Sequence, residues 1–317
     1  MTAAAPPDLE IPESLLRTFP GGAADLARPE WDYAAAHAYC RHLATTHYEN
    51  FHVGTWLFPE QAREHAYNVY AYCRWSDDLA DETGGDTERS LALLGWWRGE
   101  LERAFAGAAR HPVFVALAHS ARVCELEPEP FHHLLDAFEQ DQRVFRYPTY
   151  DDVLDYCKRS ADPVGRIVLA LLGYRDEERR RLSDRTCTAL QLANHWQDVE
   201  NDLRRGRIYL PLEDMARFGV NEEDLGMPRA GENVRELIRF EVERARALFH
   251  EGLPLVGMVS GRARFDIDLF NRGGLAILDA IAAQDHDVLA RRPRVGKLAR
   301  ARLMLGALAR GVFGGGR

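Results

Sequence analysis

The sequence predicts an all-α protein, and three observations carry that expectation. Runs of β-branched residues with a period of two are nearly absent, and no Asn-Gly turn separates two apolar runs. From Trp31 onward, long segments without internal proline follow one another, rich in Ala, Leu, Arg and Glu. They are divided at Pro59, Thr83-Gly84-Gly85, His111-Pro112, Glu127 to Pro130, Tyr147-Pro148, Gly173, Pro211 and Pro228, breaks that mark out about ten helices.

Residues 1–30 are rich in Ala, Pro and Gly without sustained periodicity and are expected to form a loosely held arm. Residues 31–305 contain no linker and no short-period repeat, so a single helical domain is expected there. Residues 306–317 end in Gly314-Gly315-Gly316 and read as a frayed tail.

With 46% apolar and 28% charged residues in 317, the chain has ordinary globular composition and is long enough for one large core or two smaller ones. Cys40, Cys73, Cys124, Cys157 and Cys187 are scattered with no C-x-x-C pair, which suits core thiols in a reducing compartment. A net charge of −9 argues against general nucleic-acid binding, which draws on a concentrated basic face. The first residues have neither a basic nor a continuous apolar region of the secretory kind, so a cytoplasmic location is expected. The longest apolar run, Ile167 to Leu172, is far below the roughly 20 residues that span a bilayer.

Two segments carry the chemistry. In Tyr70-Ala-Tyr-Cys-Arg-Trp-Ser-Asp-Asp-Leu-Ala-Asp-Glu82, residues Tyr70, Arg74, Asp77 and Asp81 recur at steps of four, three and four, on one helical face. Aspartates one turn apart repel, and helix interiors prefer Glu to Asp. Such stacked short carboxylates suit a hard cation. The later segment Gln191-Leu-Ala-Asn-His-Trp-Gln-Asp-Val-Glu-Asn-Asp202 repeats the pattern, with Gln191, Asn194, Asp198 and Asp202 expected on one face. Mg²⁺ binds through one or two carboxylates plus phosphate oxygens and water, so two such helices facing each other would hold a diphosphate. Taken singly, either segment also reads as a solvated helix face. Arg204, Arg205 and Arg207 follow, either to meet a departing diphosphate or to complement the helix dipole. His132, His133 and His195 form no H-x-x-x-H or H-E-x-x-H pattern and are assigned structural or surface roles.

These residues resemble the squalene and phytoene synthases, the head-to-head isoprenoid synthases. The resemblance runs from about His47 to Arg300 and rests on both Asp-rich segments together with Gly206-Arg-Ile-Tyr-Leu-Pro211. It implies a single-domain helical bundle with a central cavity and a Mg²⁺-dependent reaction of an isoprenoid diphosphate. Within the family the chain most resembles the bacterial hopanoid-pathway branch, which converts presqualene diphosphate to hydroxysqualene. His47-Tyr-Glu-Asn-Phe51 with Trp56-Leu-Phe-Pro59, Tyr156-Cys-Lys-Arg-Ser-Ala-Asp-Pro-Val-Gly165 and Asn194-His-Trp-Gln-Asp198 carry this finer likeness.

The chain also departs from the wider family. His47-Tyr-Glu-Asn-Phe51 lacks the lysine of a His-Ser-Lys-Ser-Phe-like segment, Lys158-Arg159 stands where squalene-type relatives carry Tyr and Gly, and Gly273-Gly274 replaces an aromatic. The resemblance implies metal ligation by Asp77, Asp81, Asn194, Asp198 and Asp202. It implies diphosphate or substrate contacts from His47, Phe51, Tyr70, Arg74, Lys158, Arg159, Gln191, Arg207 and Arg292. Phe51, Trp75, Phe138 and Trp196 are candidates to line a carbocation cavity. No G-x-G-x-x-G follows a strand, so quenching by water is the simpler expectation, with Tyr156 or Asn194 positioning it.

Three alternatives stay open: condensation of two prenyl diphosphates to presqualene diphosphate, squalene or phytoene; a catalytically silent scaffold for enzymes of the squalene pathway; and a membrane-surface protein. The last rests on residues 291–305, whose cations and apolar residues alternate as in a helix lying on anionic lipid. Peripheral contact there, and association with other squalene-pathway enzymes, are compatible with the enzyme.

Overall fold

The computed structural model describes residues 9–19, 21–26, 28, 30–46 and 60–296. Among them the structure is all-helical, the sole extended pairing being an isolated parallel bridge between Arg146 and Ile208. Among the described residues ten helices have ten residues or more, in line with the about ten that the chain's breaks mark out. The shorter ones, of four to six residues, lie in connections too brief for a period to register.

The chain divides into two compact units, residues 1–143 with 167–174, and residues 144–166 with 175–317. The first holds α1 (Glu13–Leu16), α2 (Ala23–Leu26), α3 (Tyr33–Thr46), α4 (Glu60–Asp81), α5 (Thr87–Phe105), α6 (Pro112–Val123) and α7 (Glu129–Asp141). Helix α4 packs against α3, α5, α6 and α7. Its inner face carries Tyr72, Trp75 and Leu79 into a cluster with Trp97, Phe114 and Phe131. Trp75 stacks on Trp97 with ring centroids 5.0 Å apart, and Tyr72 meets Phe131 edge-on at 5.3 Å. The polar edges of these rings are satisfied: Trp75 Nε1 donates to the Tyr39 hydroxyl at 2.9 Å, Trp97 Nε1 to Ser76 Oγ at 3.0 Å and the Tyr72 hydroxyl to the Phe131 carbonyl at 2.7 Å. Trp75 is therefore core, not cavity lining, and Phe138 packs partly buried against the same cluster.

The segment expected to be a loose arm is packed from Leu9 onward. Ile11, Leu15, Phe19 and Leu26 are buried, and Phe19 stacks on Tyr39 at 4.3 Å. Four apolar anchors over 16 residues are too sparse to show as periodicity, yet enough to seat a chain that α3 receives.

The second unit holds α8 (Tyr150–Ser160), α10 (Glu177–Gln197), α11 (Val199–Arg204), α12 (Leu212–Arg217), α13 (Glu222–Leu225), α14 (Glu232–Gly252), α15 (Leu255–Met258) and α16 (Gly261–Ala283); α9 (Asp162–Leu171) contributes its first five residues. Helix α10 is its spine, packed on α14, α16 and α8. Three glycines let neighbours approach it closely. A Cβ on Gly252 of α14 would lie 2.3 Å from Thr186 Oγ1 and 3.0 Å from the Leu182 carbonyl oxygen; one on Gly165 would meet Ser183 Oγ at 2.3 Å. One on Gly274 of α16 would strike the Phe249 ring at 2.1 Å and Leu190 at 3.0 Å. Phe249 thus fills the space beside the Gly273-Gly274 pair.

All five cysteines are free thiols, and burial raises Cys40, Cys73, Cys157 and Cys187, Cys73 and Cys187 to about 12. No helix among the described residues is long and apolar enough to cross a membrane.

Alanine normally stabilises a helix relative to glycine by roughly 0.5–1 kcal/mol. At Gly252 the incoming methyl meets backbone that cannot yield, so Gly252→Ala is expected to lose ~2 kcal/mol of stability. Gly95, exposed in α5 with nothing within 4 Å of its Cβ position, is the control, and Gly95→Ala should gain slightly. Urea unfolding of the two variants checks the contrast in sign.

Candidate active site

On α4 the expected face forms, with Asp77 half exposed and Asp81 exposed. The residue after Asp77 in sequence, Asp78, points the other way. It is 4% exposed and binds Arg74 in two places, Arg74 Nε donating to Oδ2 at 3.0 Å while a terminal guanidinium nitrogen reaches Oδ1. Arg74 lies farther from Asp77, at 3.6 Å. Burial pushes Asp78 up to about 6; Arg74 opposes that shift and the neighbouring Asp77 adds to it. Arg74, expected as a diphosphate contact, thus stands beside the Asp77 carboxylate while paired with Asp78. The sequence signal for Asp78 was the Asp77-Asp78 doublet, whose second member rotates about 100° toward the core.

The second motif is not one unbroken helix. Asp198 leaves the helical region (φ −109°, ψ 14°), ending α10 and preceding α11. Its N–H still donates to the Asn194 carbonyl at 3.0 Å and its carbonyl accepts from Asp202 N at 2.8 Å, so the spacing survives a one-residue interruption. Asn194 is exposed, and Gln191 and Asp202 are partly buried. Both Asp198 oxygens are held by Arg292, Nε to Oδ1 at 2.5 Å and Nη2 to Oδ2 at 2.7 Å, and Asn201 donates to Oδ1 at 2.9 Å. Burial raises Asp198, but the bonds from Arg292 and Asn201 outweigh it and hold the carboxyl below its usual range.

Behind this motif lies an aromatic group within the second unit. Tyr156, 3% exposed, lies 5.5 Å from Tyr147 and 5.6 Å from Tyr209 by ring centroid, and His195 stacks on Tyr209 at 3.7 Å. Burial pushes His195 down to about 3, which favours the neutral ring. His195, Asp202, Arg207 and Tyr209 line a cavity of about 10 Å³, the size of a single water. Trp196 is fully buried and belongs to the core.

The remaining candidates divide. Arg159 pairs with Asp155 at 2.7 Å and exposed Lys158 lies 4.0 Å from the same carboxylate. Arg204 pairs with Glu200 across one turn. Tyr70 is partly buried on α4. His47 and Phe51 lie outside the described residues, as do positions 297–305 of the expected basic helix. Its described beginning, residues 291–296, is irregular: Arg292 is turned onto Asp198, and Arg291 Nε onto Gln284 at 3.3 Å. Sequence reasoning also passed over Gln197, 7% exposed and bonded to both Arg292 and the Pro293 carbonyl.

Among the described residues no three His, Cys, Asp or Glu side chains converge as a ready cation cage. The donor chemistry fits Mg²⁺ all the same, since that ion takes one or two carboxylates per site and completes its shell with water and phosphate oxygens.

An all-helical chain with two such oxygen-ligand faces falls in the isoprenoid synthase class. The chain belongs to the squalene/phytoene synthase family, whose model matches residues 44–299. Members are enzymes of isoprenoid diphosphates and generally use Mg²⁺. The chain is 35% identical over 259 residues to the phytoene synthase of Thermus thermophilus, covering 81% of this chain and 87% of that protein. It is 31% identical over 284 residues to the 15-cis-phytoene synthase of Synechococcus elongatus, with 85% and 92% covered. Among solved structures, the squalene synthase HpnC of Alicyclobacillus acidocaldarius is similar at 48% identity and a TM-score of 0.76, covering 79% of this chain and 94% of that one. A ligand-bound dehydrosqualene synthase superposes with a TM-score of 0.79 at 25% identity, covering 87% and 96%.

Outside the motifs, Asp266 of α16 is 5% exposed with neither carboxylate oxygen bonded. Burial raises it from 3.8 to about 7, with Arg262 pulling the other way. The protonated folded form thus contributes fully below about pH 4, and that contribution is lost as pH rises through 7. Asp266→Asn is expected to match the parent at about pH 4 and to exceed its stability by about 2–4 kcal/mol at about pH 8; urea titrations at the two pH values measure the difference.

Proposed function

We propose that this enzyme converts presqualene diphosphate and water to hydroxysqualene and diphosphate. The observation that carries the reading is the 48% identity to a squalene synthase across four-fifths of the chain, well above the 31–35% to phytoene synthases. The Asn194-His-Trp-Gln-Asp198 segment, part of the hydroxysqualene-branch likeness, supports the finer assignment.

Asp77, Asp81, Asp198 and Asp202, with the Asn194 side-chain oxygen, are the proposed Mg²⁺ ligands. Bound Mg²⁺ neutralises charge on the leaving diphosphate. The carbon–oxygen bond to diphosphate breaks with its electron pair leaving on oxygen. Arg74, Lys158, Arg159, Arg207 and Arg292 act as fixed cations for the departing group, with Tyr70 and Gln191 as polar contacts. His47 and Phe51 complete the proposed substrate contacts. The carbocation is captured by one water, which loses its proton to solvent and leaves the alcohol. Tyr156, buried beside Tyr147 and Tyr209, presents an aromatic face suited to cation stabilisation, and its hydroxyl or the Asn194 amide orients the water. Peripheral membrane contact through 291–305 and association with other squalene-pathway enzymes accord with an oily substrate and product.

A second reading, head-to-head condensation of two prenyl diphosphates, is favoured by the phytoene synthase relatives, which match more than four-fifths of the chain. Mass-spectrometric product analysis with Mg²⁺ and without NADPH separates the two. Presqualene diphosphate is expected to give hydroxysqualene while farnesyl diphosphate is left unchanged. Asp77→Asn and Asp198→Asn should each lower turnover at least ~100-fold, and chelation of Mg²⁺ should abolish it. A condensation product from farnesyl diphosphate would transfer the enzyme to the second reading; no turnover of either substrate would favour the silent scaffold.

A further inference from the structure

The chain after α16 returns to the second motif as a strap, residues 284–296. Its first turn is rigid: Asp285 and His286 take left-handed backbone (φ 55° and 59°), and Gln284 Nε2 donates to the carbonyls of Asp287 at 2.9 Å and Arg291 at 3.1 Å. Asp287 Oδ1 accepts from Ala230 N at 2.9 Å and from Ala290 N at 3.1 Å, while Val288 and Leu289 are buried. Toward its far end the strap meets the side-chain amide of Gln197 on α10. Gln197 Nε2 donates to the Pro293 carbonyl at 2.5 Å, and Gln197 Oε1 accepts from Arg292 Nη2 at 3.2 Å. The same guanidinium is the one that holds both oxygens of Asp198.

We propose that Gln197 is a positioning residue: its buried amide clamps the strap to α10 and thereby sets the Arg292 guanidinium against Asp198. The physical need is plain. The Arg292 side chain is 42% exposed, and an ion pair at such a site contributes little once the rotamer entropy of a long side chain is counted. A neighbouring backbone carbonyl fixed by a buried amide removes much of that freedom before any ligand arrives. The amide suits this place because it both donates to a carbonyl and accepts from a guanidinium, which neither a carboxylate nor an ammonium does. The clamp holds a cation of the leaving-group site in register with a carboxylate of the metal site, and in this it rests on the proposed roles of Arg292 and Asp198.

The test uses Gln197→Met, which keeps the side-chain volume, with Gln197→Ala as a second variant, Arg292→Gln, and the Gln197→Met/Arg292→Gln double. Two quantities are read: amide hydrogen exchange across 289–296, and the Kd of inorganic diphosphate at saturating Mg²⁺ by calorimetry. Expected results are exchange about 10-fold faster or more across the strap in either Gln197 variant, with the core of α10 unchanged. Diphosphate should bind about 10-fold more weakly in Gln197→Met and at least as weakly in Arg292→Gln. In the double variant Gln197→Met should add less than about 2-fold, because it acts through Arg292. Unchanged strap exchange, or a Gln197→Met effect that persists in full without Arg292, overturns the proposal. Should Arg292→Gln bind diphosphate as tightly as the parent while Gln197→Met still frees the strap, the clamp stands and Arg292 leaves the diphosphate site instead.

Discussion

The close approach of three helices to α10 is the constraint on which the second unit depends. Gly165, Gly252 and Gly274 each stand where a methyl group would overlap an atom of α10 or of the ring packed beside it. Protein interiors have little slack for such an overlap, so these positions set how near the neighbouring helices lie. Because α10 ends in the Asn194–Asp198 segment, the same packing determines where Gln197 and Asp198 stand. The unusual end of the helix then has a local cause. Asp198 departs from helical geometry for one residue while keeping the hydrogen bonds on either side, and this aims its carboxylate at Arg292 without losing the register of Asp202.

In each unit an arginine is bound to an aspartate of the acidic motif, but the two pairs differ in what they protect. Arg74 binds the buried Asp78, whose raised pKa reports the cost of desolvation, and the pair ties the polar face of α4 to its core side. Arg292 binds the more exposed Asp198, whose lowered pKa reports net stabilisation of the charge. Asp77 and Asp78 are adjacent in sequence, yet a rotation of about 100° gives one to solvent and the other to the interior. Of the two carboxylates, Asp198 is the one that its guanidinium partner favours in the ionised form.

Membership of the squalene/phytoene synthase family accounts for the helical architecture and the isoprenoid diphosphate substrate class. Several buried or clamping side chains lie around the second motif. Gln197 ties down the strap that carries Arg292, Phe249 fills the space beside Gly274, and His195 lies neutral against Tyr209 within an otherwise tyrosine-rich group.

Much of this was legible in the residues alone. The breaks at Pro and Gly delimited the long helices, and the four-three-four spacing of Tyr70, Arg74, Asp77 and Asp81 placed them on one face, because helical periodicity is a property of local sequence. Burial of Cys40, Cys157 and His195 accords with the core reading of their sequence positions. Tertiary structure alone decided the rest. The packing of Ile11, Leu15 and Phe19, the commitment of Arg74 to Asp78, the core placement of Trp75 and Trp196, and the return of Arg292 to Asp198 across 94 positions all depend on which surfaces meet. Periodicity says which side chains share a face; it carries no information about the distant segment that will cover that face, and the pairing of a charge or the burial of a ring is set by that segment.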